Sequence, residues 1–463
     1  MANYDVVSIG GGTAGMTVAR LASAAGARVC LVDREHLGGD CLYTGCVPTK
    51  TLVASARLLH EIRRAPSFGV DVAGARLNYS AVRGRVHKVM AEIAATESPE
   101  VFRDLGIDVK FGEASFVSPT QLQVGSEMMS AEKFVVATGS RAVIPPIPGL
   151  DKAQPLTNVG LLELEELPES LAIIGSGPIG TEFSQIFCRF GTRVTVIDRA
   201  EQILPREDPE TAGLLMEVLA NEGVRYLCGA TVTRVTKTDV GSLVEVERES
   251  GATSLEARQI LVAVGRRPNV ESLNLDRAGV EFDSSGIRTD DYLRTTAPNV
   301  WACGDVAGKY QFTHVAYEQA VAVARNLQGK RTKWNDAVVP WTTFTDPELA
   351  RAGLTEAEAR ERYGGKVRAI QLPFAQIDRA LCEGEPQGLI KLITIPGWTH
   401  GRFGGEVVGA HILGRSAGEL LPEILVAMRS RLPIGLVARP IHVYPTLGLG
   451  IRQVIGQLFE SAE

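Results

Sequence analysis

The sequence predicts an α/β protein built around a duplicated strand–turn–helix–strand unit, and three observations carry that prediction. First, VVSIGGGTAGMTVARLASAAGARVCLVDR and LAIIGSGPIGTEFSQIFCRFGTRVTVIDR align without a gap at an offset of 165 residues. Second, each copy passes from an apolar strand through a glycine-rich turn into a helical apolar pattern, and its second strand closes on a carboxylate. Third, 463 residues exceed what one hydrophobic core supports, so about three domains are expected.

The glycines of the two copies fall in register: Gly10 with Gly175, Gly12 with Gly177, and Gly15 with Gly180. Asp33 and Asp198 keep the same offset. GxGxxG alone is a weak signal. Following a strand, opening a helix and preceding an acidic residue by roughly 20 positions, it becomes the Rossmann fingerprint for dinucleotide binding. The first glycine permits the tight turn, the second lets a pyrophosphate approach the backbone, and the third packs helix on strand. The helix N-terminus turns free N–H groups toward the phosphates, and Asp33 and Asp198 are expected to accept ribose hydroxyls. The alternative, glycines that serve only turns, does not account for two copies in register. Two such units imply two dinucleotides, and a flavin with a nicotinamide is the natural pair because hydride passes between them. Asp198 repels the 2′-phosphate of NADP and favours NADH. Arg199 is the counter-argument for NADPH, but Arg34 follows Asp33 in the same way in the first copy.

Composition narrows the class. The chain is 45% hydrophobic and 22% charged, and its 48 glycines follow no collagen-like period. A formal net charge of −6 argues against nucleic acid or an anionic membrane as partner. No apolar run reaches membrane-spanning length, and YDVVSIG begins strand-like within a few residues of Met1, so a cytoplasmic location is expected.

Just beyond the first unit comes GGDCLYTGCVPTK, with Cys41 and Cys46 five positions apart. On a regular helix their Cα atoms would stand roughly 8–9 Å apart, whereas a disulfide needs about 4.4–6.8 Å. The segment must leave the helix between them, and Gly45 gives the backbone that freedom. Pro48 suits a first helical turn, and Leu52, Ala56, Leu59 and Ile62 recur at helical spacing. Cys46 therefore falls at a helix N-terminus, which favours a thiolate, with Lys50 one turn on. A metal site would want three or four ligands, and no further Cys or His lies close, so no resident metal is expected. A structural disulfide suits an oxidising compartment better, and two unrelated buried thiols would need neither Gly45 nor Pro48. The placement beside a cofactor fold points to a reversible dithiol–disulfide pair near a flavin.

GGDCLYTGCVPTK resembles the redox-active disulfide signature of the class I pyridine nucleotide–disulfide oxidoreductases, which include dihydrolipoamide dehydrogenase, glutathione reductase and mercuric reductase. VVATGS (Val135 to Ser140), VAVGRRPN (Val262 to Asn269), WACGDVAG (Trp301 to Gly308) and FTDPELARAGLTEAEA resemble further family segments along essentially the whole chain. The resemblance implies that FAD is held by the first glycine turn with Asp33, Lys50, Thr138, Gly139, Gly304 and Asp305, where Asp305 holds the ribityl chain. The nicotinamide belongs to the second turn with Asp198, Arg199 and Gly265. Cys41 is implied as the thiol that meets the acceptor and Cys46 as the thiol against the flavin. Lys50 and Glu182 are implied as an ion pair beside the flavin ring. Without the family, Lys50 reads as a solvated helix lysine and Glu182 as a first-turn glutamate. The implied architecture is an FAD domain (1–149) interrupted by an NAD(P) domain (150–268), resuming over 269–338, then an α+β interface domain (339–463). That last domain makes a homodimer in which the partner chain completes each active site. AGELLPEILVAMRSR is amphipathic and suits either a neighbouring subunit or an ordinary core-facing helix.

The chain departs from the family near its C-terminus. Disulfide-reducing members keep a His-Pro there, with a glutamate four residues after the proline as proton shuttle. Here IHVYPTLGLG puts Tyr444 before Pro445 and Leu449 at the glutamate position. A tyrosine with a pKa near 10 is a poor base at neutral pH. His442 lies two residues earlier and reads as a partial substitute or as a hydrogen-bonded interface residue. Tyrosine at this position is shared with mercuric reductases, but IRQVIGQLFESAE holds no counterpart of their C-terminal cysteine pair, and their N-terminal metal-carrier domain is not expected here. The expectation is an FAD-dependent NAD(P)H oxidoreductase with Cys41–Cys46 as its redox pair. Its acceptor is a small molecule or thiol/disulfide: a disulfide, a metal ion or a quinone. The alternatives are a dihydrolipoamide dehydrogenase with altered proton transfer and an NADH-binding flavoprotein sensor with little turnover.

Overall fold

A computed structural model describes residues 3–400 and 402–460. The first unit opens with β1 (Tyr4–Ile9), α1 (Thr13–Ala24) and β2 (Val29–Asp33). Val6, Val7 and Ile9 are buried, as a strand covered on both faces requires. β1 pairs in parallel with β2 on one side and with Glu127–Val136 on the other. Ile107–Phe111 extends the sheet beyond β2, and Val300–Ala302 joins at the far edge, in parallel with Glu127–Val136. A chain that returns to this sheet after some 160 residues is what an interrupted first domain requires.

The second unit repeats the plan. Arg225–Leu227, Arg193–Ile197, Ser170–Ile174 and Gln259–Val262 form a four-stranded parallel sheet in that order. In both units an antiparallel meander follows the parallel strands: 114–136 in the first, 230–257 in the second. The duplication thus extends well past the stretch in which the sequence shows it.

The C-terminal part is α+β. Five antiparallel strands run in the order Pro340–Thr343, Glu348–Gly353, Glu406–Gly414, Leu389–Ile395, Arg368–Pro373. The helix Ala417–Ser430 spends its apolar face on this sheet, burying Leu421, Ile424 and Met428. Its amphipathicity is therefore accounted for within the subunit. Lys391 ties this sheet to the second unit, reaching Asp208 and Glu210 at 3.0 Å and Glu356 at 2.9 Å from a nearly buried position. Lys391→Met leaves Asp208 a buried anion without its cation, and urea unfolding is expected to show a loss of about 3–5 kcal/mol.

No helix among the described residues is long and apolar enough to cross a membrane.

Candidate functional site

The two glycine turns are superimposable in their chemistry. Gly10 and Gly175 have φ of +113° and +108°, a conformation L side chains avoid. A Cβ on Gly15 would lie 1.8 Å from the Gly10 carbonyl oxygen, and one on Gly180 2.0 Å from that of Gly175. Those third glycines let the helix meet the turn, as their place in the motif predicts. Gly11 N donates to Asp33 Oδ2 and Ser176 N to Asp198 Oδ2, each at 2.6 Å. Asp33 also accepts from the N–H groups of Glu35 and His36, and Asp198 from Ala200 N and the Ser176 hydroxyl. With about four acceptor directions per carboxylate, each aspartate keeps one for a ligand.

Both turns open onto one cavity of about 1760 Å³. A single-ligand pocket is typically ~300–1,000 Å³, so this space is sized for two dinucleotides. Thr138, Gly139, Gly304 and Asp305 line it near the first turn, and Arg199 and Gly265 near the second. Asp305 is partly buried, and desolvation pushes its carboxyl above the ordinary range while the hydrogen bond from Ser140 pulls it back. That bond is 2.6 Å long, and Arg266 in turn donates to Ser140 Oγ at 2.8 Å and pairs with Asp40. The residues fit the flavin and nicotinamide groups expected from the sequence.

The thiol pair lines the same cavity. α2 (Gly39–Tyr43) carries Cys41 and stops at Thr44 and Gly45, and α3 (Cys46–Arg64) starts on Cys46 itself. The break supplies the departure from helix that the spacing demands. A Cβ on Gly45 would come within 2.9 Å of the Asp40 carbonyl oxygen, so the chain can fold back there only with glycine. The Cys41 thiol donates to Cys46, which together with burial pushes Cys41 well above the ordinary thiol range. The same hydrogen bond pulls Cys46 down to about 6 against the opposing effect of burial, with Thr313 and the Lys50 charge assisting. Thr313 Oγ1 lies 3.5 Å from Cys46 Sγ.

Lys50, one turn into α3, meets Glu182 at 2.9 Å because α3 packs on the helix Pro178–Phe190 of the second unit. Glu182 is almost buried, and its other oxygen accepts Phe344 N at 2.9 Å. The Lys50 ammonium also stands 4.5 Å over the Phe344 ring. Sequence reasoning missed Thr313, Phe344, Ser140 and Arg266. The last three lie inside motifs it quoted, and Ser140 and Arg266 stand next to residues it chose, but nothing in a linear motif says which side chains turn inward.

The structure does not bring Tyr444 or His442 to the thiols of the same chain. Tyr444 is two-thirds exposed and donates to Asp378 at 3.0 Å, a carboxylate that raises the phenol further. His442 is engaged at both ring nitrogens, by the Pro440 carbonyl at 2.9 Å and by Glu423 at 3.0 Å. The last three residues of the tail lie outside the described residues. Among the described residues no group of three or more His, Cys, Asp or Glu is arranged to hold a metal.

Residues 4–320 match the family model for pyridine nucleotide-disulphide oxidoreductases, and residues 339–454 match the dimerisation domain of the same family. The chain belongs to this family. Its members are FAD- and NAD(P)-dependent enzymes. A mercuric reductase from Bacillus cereus is 34% identical over 98% of this chain and 71% of that protein. A dihydrolipoyl dehydrogenase from Chlamydia muridarum is also 34% identical, over 96% of this chain and 94% of its own length. Among solved structures, the copper(II) complex of the HOCl-induced flavoprotein disulfide reductase RclA from Escherichia coli superimposes with a TM-score of 0.87. It is 31% identical and covers 99% of this chain and 100% of its own. The oxidoreductase fold expected from the sequence, with two Rossmann-like domains and a C-terminal dimerisation domain, is therefore the fold of this chain.

The depressed Cys46 thiol has a direct consequence. A lowered pKa means thiolate above about pH 6, lost as pH falls through that value. Pulse alkylation of the reduced protein with iodoacetamide, read by peptide mass, is expected to label Cys46 with a midpoint far below the ~8.5 of a free thiol.

Proposed function

We propose that this oxidoreductase takes hydride from NADH and passes the electrons, through bound FAD, to the Cys41–Cys46 pair, from which they leave to an acceptor that meets Cys41. Bound FAD supplies the chemistry no side chain has, accepting hydride and releasing electron pairs to sulfur. The observation that carries the reading is one continuous cavity containing both glycine turns, the thiol pair and the Lys50–Glu182 pair.

The chain's residues divide the work. The first turn, with Asp33, Thr138, Gly139, Gly304 and Asp305, holds the flavin nucleotide, and Asp305 takes the ribityl chain. The second turn, with Asp198, Arg199 and Gly265, holds the nicotinamide nucleotide. Asp198, already loaded with backbone donors at the end of its strand, keeps one acceptor direction for a ribose hydroxyl and repels a 2′-phosphate, which favours NADH. Lys50, neutralised by Glu182, steadies negative charge beside Cys46 and the flavin ring. The subunits form a homodimer, and the segment bearing His442 and Tyr444 serves the partner's site.

The acceptor classes are a disulfide, a metal ion and a quinone. Tyr444 in place of a histidine, the mercuric reductases among the relatives, and the copper(II) complex of RclA all support a metal ion as electron acceptor. The test is anaerobic reduction by NADH and NADPH in parallel, then steady-state turnover with lipoamide, mercuric ion, copper(II) and a quinone. NADH is expected to win in kcat/KM by at least about tenfold, a difference of roughly 1.4 kcal/mol. Equal use of the two nucleotides overturns the role given to Asp198.

A further inference from the structure

One cation on the wall of the cavity has no assigned work. Arg206 is exposed and lines the same space as the two glycine turns. Among the described residues it makes no hydrogen bond and no ion pair, and its guanidinium lies 5.4 Å over the Trp341 ring. Trp341 lines the cavity as well.

That ring is held from several sides. Its indole N–H donates to Glu207 Oε1 at 2.5 Å, and it stacks on Phe312 with centroids 5.8 Å apart and planes 13° from parallel. Arg351, buried and directly opposite on the next strand, lies 4.7 Å over the ring and pairs with Glu358 at 2.9 Å. Glu207 is nearly buried, and its other carboxylate oxygen has no partner among the described residues. The Arg206 charge acts on Glu207, but that carboxylate bonds the indole instead. Taking a carboxylate out of water is costly, and what this one secures is the orientation of Trp341.

The contacts also fix where this wall runs. Leu204 N donates at 2.9 Å to the carbonyl of Ser176, inside the second glycine turn, so the segment carrying Arg206 and Glu207 leaves from that turn. At the other end Phe312 directly precedes Thr313, whose hydroxyl lies 3.5 Å from Cys46 Sγ. Contacts therefore lead from the second turn through Arg206, Trp341 and Phe312 to the thiol segment. A dinucleotide with its adenosine ribose on Asp198 and its nicotinamide directed at the flavin follows this wall. The negative charge it carries past Arg206 is its pyrophosphate.

We propose that Arg206, backed by the Trp341 ring, binds the pyrophosphate of the nicotinamide nucleotide, and that Glu207 is the residue that positions the ring. This rests on the reading of the second turn as that nucleotide's seat. The guanidinium presents paired N–H donors that match phosphate oxygens. The aromatic surface beneath it holds a long side chain that would otherwise spread in solvent. A pyrophosphate contact acts on NADH and NADPH alike, so the preference set by Asp198 is left as it is.

The test is calorimetric titration of the oxidised, FAD-loaded protein with NAD+ and with ADP-ribose, which keeps the pyrophosphate and lacks the nicotinamide. Arg206→Met leaves the stem on the ring and removes the charge, and is expected to weaken both ligands by about tenfold. Arg206→Lys is expected to recover most of that loss. In anaerobic stopped flow the apparent dissociation constant for NADH rises by the same factor in Arg206→Met, while the limiting rate of flavin reduction changes less than about twofold. Glu207→Leu frees the ring and is expected to weaken both ligands, whereas Glu207→Gln, whose amide oxygen still accepts the indole N–H, binds as the wild type does. Unchanged affinity in Arg206→Met, a loss seen with NAD+ but not with ADP-ribose, or a lower limiting rate at unchanged affinity overturns the proposal. Wild-type affinity in Glu207→Leu overturns the positioning role. A wild-type protein that binds neither ligand and is not bleached by NADH overturns the underlying reading, a failure seen before any variant is made.

Discussion

Cys46→Ser is expected to cut NADH-driven turnover with a thiol-dependent acceptor by roughly 10³-fold or more, while flavin reduction by NADH survives. The serine hydroxyl is close in size, so α3 keeps its start and Thr313 keeps a partner. What disappears is the sulfur that closes the disulfide on Cys41 and so expels the product. With a disulfide as the acceptor, the variant should therefore accumulate a mixed disulfide at Cys41, visible as an adduct by mass spectrometry. Cys41→Ser loses the same activity without the adduct, because the sulfur that meets the acceptor is gone. This asymmetry separates the two roles more sharply than the loss of rate.

The second large effect belongs to Lys50. Lys50→Met removes the cation that lowers the Cys46 thiol and leaves Glu182 as a nearly buried anion beside it. Both changes act in one direction. Cys46 titrates higher, so less of it is thiolate at neutral pH than in the wild type. A third of the Lys50 side chain faces solvent. The stability cost is accordingly about 1–3 kcal/mol, below that of a fully buried pair. Glu182→Gln leaves Lys50 uncompensated and shifts Cys46 the opposite way. Combining Lys50→Met with Glu182→Gln should therefore recover much of the Cys46 titration, and a double variant in which Cys46 titrates as high as in Lys50→Met alone would contradict this.

The duplicated unit and the broken helix between Cys41 and Cys46 were legible because each leaves a local mark. Glycines at fixed offsets, a terminal carboxylate and Pro48 are short-range features whose physics needs no knowledge of the rest of the chain. The Lys50–Glu182 pair was invisible to periodicity, since the partners are 132 residues apart and meet only because two helices pack. It entered through family resemblance alone. Thr313 and Phe344 were missed for the same reason: long-range pairing gives no signal in a linear motif. The amphipathic helix at 417–430 shows the opposite fault, a local signal compatible with two surfaces, which packing assigned to its own sheet. The engagement of His442 by Glu423 could not be read at all, because it depends on how a loop lies against that helix.

Everything proposed here requires that electrons entering from the nicotinamide come to rest on one pair of sulfurs. Counting thiols before and after anaerobic addition of one equivalent of NADH per FAD-loaded chain tests this most directly. Of the seven cysteines, the account predicts that only Cys41 and Cys46 become newly reactive, both by peptide mapping and in equal yield. NADH consumption with no new thiol, or new thiols at any other pair, would contradict it.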